Sequence, residues 1–365
     1  MKLNIIGDPE STTPESNELD RNAMGGTELM KYALFRKIDP ALLEKFQIIP
    51  SRFRGLEDGK IPIYWVHDLA QDPEMQHLKD GGWEKFEKIV CVSHWQRQQI
   101  QNFLGVPASK LVVLPNAIEP IEAHDKPDAD KRINIIYHTT PHRGLELLIP
   151  VMDWVKESYP DINWHLDVYS SFGIYGWDER DKEYEKLFEA IKNHKNMTYH
   201  GHVPNEQIHE ALKKAHIFAL PSIWPETSCI AMIEAMSAGC ICVHSSLAAL
   251  PETTANWTLQ YDMTEDMNSH ATKHALTLSD ALRLVKDPNM EERLNMQKAY
   301  TDGFYNWEVR AQQWTVFLQS ILENSGGKYE PRNDRARTNA KKATELRGTN
   351  KGPRRASKGR KRTKV

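Results

Sequence analysis

From Ile133 to Ser245 the chain alternates short β-like runs with amphipathic helical patterns: "INIIYHT", "GLELLIPVMDWVKES", "WHLDVYS", "DKEYEKLFEAIKN", "MTYHG", "NEQIHEALKKA", "IFALPS", "CIAMIEAMSAG" and "ICVHS". Each apolar run is short enough to be a buried strand and is followed by its own helix, the pattern of βαβ units around a parallel sheet. A less complete series precedes it. It runs from "KLNIIG" through a helix in "GGTELMKYALFRKI" to strands in "FQIIPS", "IPIYWVHD" and "KIVCVS", a helix in "HWQRQQIQNFL" and a strand in "KLVVLPNA". Between the two series, "EPIEAHDKPDADKR" breaks the pattern with proline and charge and reads as a linker. The expectation is α/β, with two doubly wound domains. In such sheets ligands bind beyond the carboxyl ends of the strands.

At 365 residues and 40% hydrophobic content the chain is long enough for two cores and a tail. The net charge of −3 conceals an asymmetry: Lys328 to Val365 holds 15 Lys/Arg against 3 Asp/Glu, which leaves −15 on the rest. That tail has almost no large apolar residues and reads as disordered. It is a candidate for contact with an anionic membrane surface or with nucleic acid, and equally for a purely solubilising role. No apolar run approaches the roughly 20 residues of a membrane span, and "MKLNIIGDPE" turns polar too soon for a signal peptide. The four cysteines, Cys91, Cys229, Cys240 and Cys242, form no C-x-x-C and suit a reduced compartment. A cytoplasmic location follows as an expectation, peripheral to a membrane if the tail binds one.

The segment "PSIWPETSCIAMIEAMSAGC", Pro221 to Cys240, holds the densest chemistry. Its loop leads into a helix whose N-cap is expected at Thr227 or Ser228 and whose end is expected at Gly239. The amides of Ser228, Cys229 and Ile230 would then offer an anion site that a phosphate fits. Glu226 and Glu234 flank it. One carboxylate could hold a ribose diol and the other a hexose diol, with a pyrophosphate on the amides between them. By spacing alone they are equally two solvated glutamates complementing a helix dipole.

The surrounding residues resemble the E-x7-E signature of retaining GT-B glycosyltransferases of family four. Glu226 and Glu234 match its two acids, "EAMSAG" resembles the usual "EAMAAG", and "SLAALPET" follows as that family's "GGLPE" does. The resemblance runs from Met1 to about Leu322 and is strongest from Ile133 to Thr253. It implies an N-terminal acceptor domain over 1–122, a donor domain over 123–304, a returning helix over 305–324 and the basic tail over 325–365. "MGGTEL" is similar to the family's glycine loop, with Gly25 and Gly26 admitting backbone to the donor phosphates. "YHTTPHRGLELL" resembles its basic stretch, with Arg143 in the place of the lysine that neutralises pyrophosphate and Thr140 in the donor-binding set. The arginine expected five residues earlier is here His138. His67 is similar to the histidine that contacts the transferred sugar, with Asp68 beside it, and Val203 in "GHVPNEQI" matches the loop against the base. The resemblance implies sugar transfer from a UDP- or GDP-sugar to a glycan or lipid-linked hydroxyl, with retention. It also implies no metal and no cofactor beyond the donor, Glu226 on the sugar and Glu234 on the ribose.

Other constellations read as surface features. His209 in "HEALK" lacks the second histidine of a zinc helix, His270 and His274 in "HATKH" lack a third ligand, and Asp128 and Asp130 sit in the linker as solvated charge. Two alternatives stay open: transfer to modified nucleic acid bases, and an inactive relative that only binds nucleotide sugar.

Overall fold

The computed structural model describes residues 25–122 and 126–324. The expected strand "KLNIIG" and the basic tail lie outside the described residues. The first domain contains α1 (Gly26–Lys37), α2 (Pro40–Leu43), β1 (Phe46–Pro50), β2 (Ile61–Val66), β3 (Lys88–Cys91), α3 (His94–Leu104) and β4 (Leu111–Val113). Its four described strands are all parallel, in the order β1-β2-β3-β4. β2 is buried along its whole length, as a parallel strand covered on both faces must be. Ile61, Ile63 and Trp65 pack on one face with Leu34 of α1, whereas Tyr64 and Val66 pack on the other with Ile100 and Leu104 of α3. That period-2 division of apolar residues is why both faces need helices.

The second domain continues with β5 (Ile133–Tyr137), α4 (Leu145–Ser158), β6 (Trp164–Tyr169), α5 (Glu185–Asn193), β7 (Met197–Gly201), α6 (Asn205–Lys214), β8 (Ile217–Leu220), α7 (Ile230–Ser237) and β9 (Ile241–Ser245). It ends in α8 (Leu250–Thr254), β10 (Leu259–Tyr261), α9 (Met267–Leu284) and α10 (Pro288–Phe304). Its sheet order is β10-β9-β8-β5-β6-β7, all parallel. The chain therefore reverses direction across the sheet between β5 and β8, the switch point at which a doubly wound sheet opens a crevice.

A final helix, α11 (Trp307–Asn324), leaves the second domain and buries Trp307, Trp314 and Leu318 in the core of the first. The chain thus crosses between domains twice, and the crossings are tied together. Ile118 N–H donates to Tyr305 O at 2.7 Å and Trp307 N–H to Ile118 O at 3.2 Å.

Three expectations are corrected. α7 begins at Ile230 with Cys229 as its N-cap, one or two residues later than expected, because no side chain there bonds a first-turn amide. His270 and His274 are fully buried instead of surface residues. Four apart on α9, with Leu278 and Leu282 continuing the same stripe, they face the sheet, and His270 Nε2 meets Tyr261 Oη at 3.0 Å. His209, also expected on the surface, is half-buried against Glu234. Asp128 and Asp130 do lie at the surface, Asp130 pairing with Lys286 at 2.7 Å. Among the described residues no helix is long and apolar enough to cross a membrane.

Candidate active site

The loops after β5 and β8 meet at the switch point, and glycine decides how closely. Gly144 has φ +103°, a left-handed conformation that side chains disfavour, and a Cβ there would stand 2.1 Å from Pro221 O. The turn Pro141–Arg143 is thereby pressed onto the β8–α7 loop. Arg143 Nε donates to Glu226 Oε1 at 2.5 Å, and the guanidinium also donates to Thr140 Oγ1 and, at 3.3 Å, to Thr139 Oγ1. Glu226 is only 6% exposed. Burial alone would lower the Arg143 pKa, but the Glu226 charge outweighs it and holds the guanidinium firmly protonated.

The N-terminus of α7 faces the same space. Its first-turn amides have no intrahelical acceptor, and no side chain caps them. With Cys229 as the N-cap, Ile230 is the residue of the expected anion site that lies in that first turn, and Ser228 and Cys229 lead into it from the Glu226 loop. The Cys229 thiol is buried, which pushes its pKa well up and leaves it protonated, so it is no nucleophile.

Glu234, 5% exposed, lies one turn into α7. Burial would raise its pKa, yet the hydrogen bond from His209, the charge of that ring and the hydrogen bond from Asn205 bring it below the ordinary value. Val203, partly buried, sits two residues before Asn205 in the β7–α6 loop, which places that loop beside Glu234. His138 packs its ring 4.7 Å from Phe218 with Nε2 buried and unpartnered. Desolvation drops its pKa to about 4, so the position where the resemblance expects a second cation is neutral.

The first domain closes the space from the other side. A Cβ on Gly26 would lie 3.0 Å from Ile230 Cδ1, and one on Gly25 would lie 2.3 Å from the Tyr175 ring, so the glycine loop presses directly on α7 and on the loop after β6. Thr227 Oγ1 donates to His67 O at 2.8 Å across the domains. The His67 ring, beside Asn116, keeps both nitrogens buried without a partner, and burial lowers its pKa to about 3. It is therefore neutral at pH 7. From Ser228 a groove of about 900 Å³ runs between the domains past Ser93, His94 and Glu252 to Phe304, Val316 and Phe317.

The structure thus gathers Gly25, Gly26, His67, Thr140, Arg143, Glu226, Ser228, Cys229, Ile230 and Glu234 around one crevice, with Val203 at its edge. Sequence reasoning missed Tyr175, Asn205 and His209. The i,i+4 spacing of Asn205 and His209 on α6 was the signal available for the last two.

Residues 118–298 match the family described as Glycosyl transferases group 1. This chain carries a group 1 glycosyl transferase domain. The match spans the first interdomain crossing, the crevice loops of the second domain and the whole second sheet, and the two parallel-sheet domains are those of the GT-B glycosyltransferase fold. The chain is 24% identical over 243 residues to a phosphatidylinositol N-acetylglucosaminyltransferase subunit of Arabidopsis thaliana, covering 66% of this chain and 50% of that protein. Against the Homo sapiens protein of the same name the identity is 25% over 169 residues, covering 45% and 33%. The chain spans about half the length of the curated Arabidopsis relative and a third of the human one. Among solved structures, a glycosyltransferase from Rickettsia africae superposes with a TM-score of 0.60 at 12% identity, covering 86% of this chain and 85% of that one. An Anabaena protein solved with UDP-glucose gives 0.54 at 14%, covering 72% of each. These likenesses establish a shared fold.

Proposed function

We propose that this group 1 glycosyl transferase domain moves a sugar from a nucleotide diphosphate sugar to a hydroxyl of a glycan or lipid-linked acceptor, with retention of configuration. The observation that carries the reading is the Arg143–Glu226 pair beside the uncapped N-terminus of α7, at the switch point and facing Gly25, Gly26 and His67. A cation and a row of amides suit a diphosphate, and a displaceable carboxylate suits a sugar hydroxyl.

In the ligand-free molecule Arg143 is held by Glu226. A pyrophosphate arriving at the amides of Ser228, Cys229 and Ile230 competes for that guanidinium, which frees Glu226 to accept from the sugar. As the bond from sugar to leaving phosphate stretches, negative charge grows on the diphosphate, where the preorganised donors stabilise it more than in the ground state. With His138 neutral, Arg143 carries the side-chain share of this charge. Glu226 positions the sugar and Glu234 the ribose, neither acting as nucleophile, and the acceptor attacks from the face the leaving group vacates. The names of the curated relatives and the UDP-glucose bound to the Anabaena protein favour a UDP-sugar over a GDP-sugar. The relatives' names describe subunits, which makes assembly with other chains part of the proposal. The groove leading from Ser228 to Phe304 and Phe317 is the room for an acceptor with an apolar part.

The test is a panel of UDP-, GDP- and ADP-sugars assayed for binding and slow hydrolysis, wild type beside Arg143→Ala and Glu226→Ala. Loss of hydrolysis in both variants is expected. Full activity in both would remove the basis for the site.

A further inference from the structure

Two donors from α6 converge on one oxygen of Glu234. Asn205 Nδ2 lies 2.9 Å and His209 Nε2 3.0 Å from Glu234 Oε1. The two donor nitrogens are themselves 3.1 Å apart. A carboxylate can only accept, so Nε2 must carry its proton toward Oε1, and the contact with Asn205 is a consequence of shared aim. No hydrogen bond from the described residues goes to Oε2, so the second oxygen is left for a ligand. From the geometry we infer that His209 is a positioning residue for the nucleotide: it holds Oε1 of Glu234, turns Oε2 toward the donor's diol, and makes nucleotide affinity depend on pH. The inference rests on the proposed reading of Glu234 as a diol acceptor.

Without these donors a carboxylate this buried would turn or take up a proton, and either change removes its acceptor character. The hydrogen bond to Glu234 raises the His209 pKa above its ordinary value despite opposing desolvation. The groups facing His209 are few. Glu234 on α7 and Glu206 on α6 favour its charge and Lys213 on α6 opposes it, while His138 at the end of β5 is neutral. Lys213 is itself paired with Glu210 at 2.7 Å. Below the His209 pKa the pair with Glu234 is neutral overall. Above it the crevice gains a net negative charge, which repels a diphosphate, so affinity falls as pH rises through that titration.

The experiment measures UDP and GDP binding from pH 6 to pH 8.5 by calorimetry for wild type, His209→Gln and His209→Ala, with thermal unfolding of each. Removing one donor from a buried charged acceptor is expected to weaken UDP or GDP about tenfold in His209→Ala at pH 6. His209→Gln keeps a neutral donor and is expected to fall between. The nucleotide and all other groups titrate equally in every protein, so the decisive quantity is the difference in profile. Wild type is expected to lose about threefold more affinity across this range than His209→Gln. Equal affinities and parallel profiles in all three, with only the melting temperature moved, would overturn the role of His209 and leave the proposed function standing. No binding of either nucleotide by the wild type would overturn both.

Discussion

Arg143 and Glu226 stand 2.5 Å apart although 83 residues separate them, one on the turn after β5 and the other on the loop after β8. A pair this buried is sensitive to losing one member, because the other is left as an uncompensated charge. Arg143→Ala is expected to lower turnover of the preferred nucleotide sugar by about 100-fold or more, since preorganised donors to a developing anion carry effects of that size. Arg143→Lys, which keeps the charge but loses the planar fork, is expected to retain part of it. Turnover in Arg143→Ala within a few fold of wild type would place the leaving-group cation elsewhere.

Gly144 is the hinge of that juxtaposition. With φ at +103° and Pro221 O where a Cβ would go, Gly144→Ala must move one loop away from the other. A loss of roughly 2 kcal/mol or more in unfolding free energy is expected, with weaker nucleotide binding as Arg143 withdraws. Unchanged chemical unfolding and binding would show that the two loops are not held by this contact.

Asp68 gives a pH-dependent term. Its Oδ2 is buried without a partner, and burial first, then the charge of Asp72, raises the carboxyl pKa to about 6 from 3.8. The folded state therefore holds the proton more tightly than the unfolded one. The resulting cost is absent below about pH 4, grows as pH rises, and is complete above about pH 6. Asp68→Asn is expected to stabilise the protein by roughly 1–3 kcal/mol at pH 7.5 and by almost nothing at pH 4. Melting temperatures at the two pH values check this, and equal shifts at both would contradict it.

Glu252 caps a helix in the other domain. Its carboxylate accepts from His94 N at 2.7 Å and Trp95 N at 2.9 Å, the first turn of α3, while Ser93 Oγ accepts from Gln96 N at 3.0 Å. Glu252→Ala leaves two amides without their acceptor and is expected to cost about 1 kcal/mol and to loosen the domains. Small-angle scattering should report a larger radius of gyration for the variant, and an identical profile would argue against the clasp.

The basic segment Lys328–Val365 is expected to add salt-sensitive binding to vesicles containing anionic lipid. A chain ending at Asn324 should lose that binding and keep its nucleotide affinity. Retention by the shortened chain would assign it to the folded domains, and a preference of the full chain for duplex DNA would favour the nucleic acid alternative.

The α/β class and the crevice loops were legible because their signals are local. Strand-to-helix alternation marked every described strand of the second sheet from β5 to β9. Glu226, Glu234, Arg143 and the glycines stood out because glycine and charge cluster where strands give way to helices. His209 carried only a spacing to Asn205, and nothing local says that α6 lies against α7. His270 and His274 look solvent-facing by residue type, yet their stripe is shared with Leu278 and Leu282, and packing against the sheet outweighs their polarity.

The sequence by itself determined the βαβ rhythm, the buried strands and the residue types that can meet a nucleotide sugar, because period and side-chain chemistry act over a few residues. The tertiary structure alone decided which of those groups touch. The 2.5 Å contact of Arg143 with Glu226, the two donors on Glu234 Oε1 and the neutrality of His138 depend on distances and desolvation set by strand order. Those quantities belong to elements brought together from far apart in the chain, and no stretch of sequence contains them.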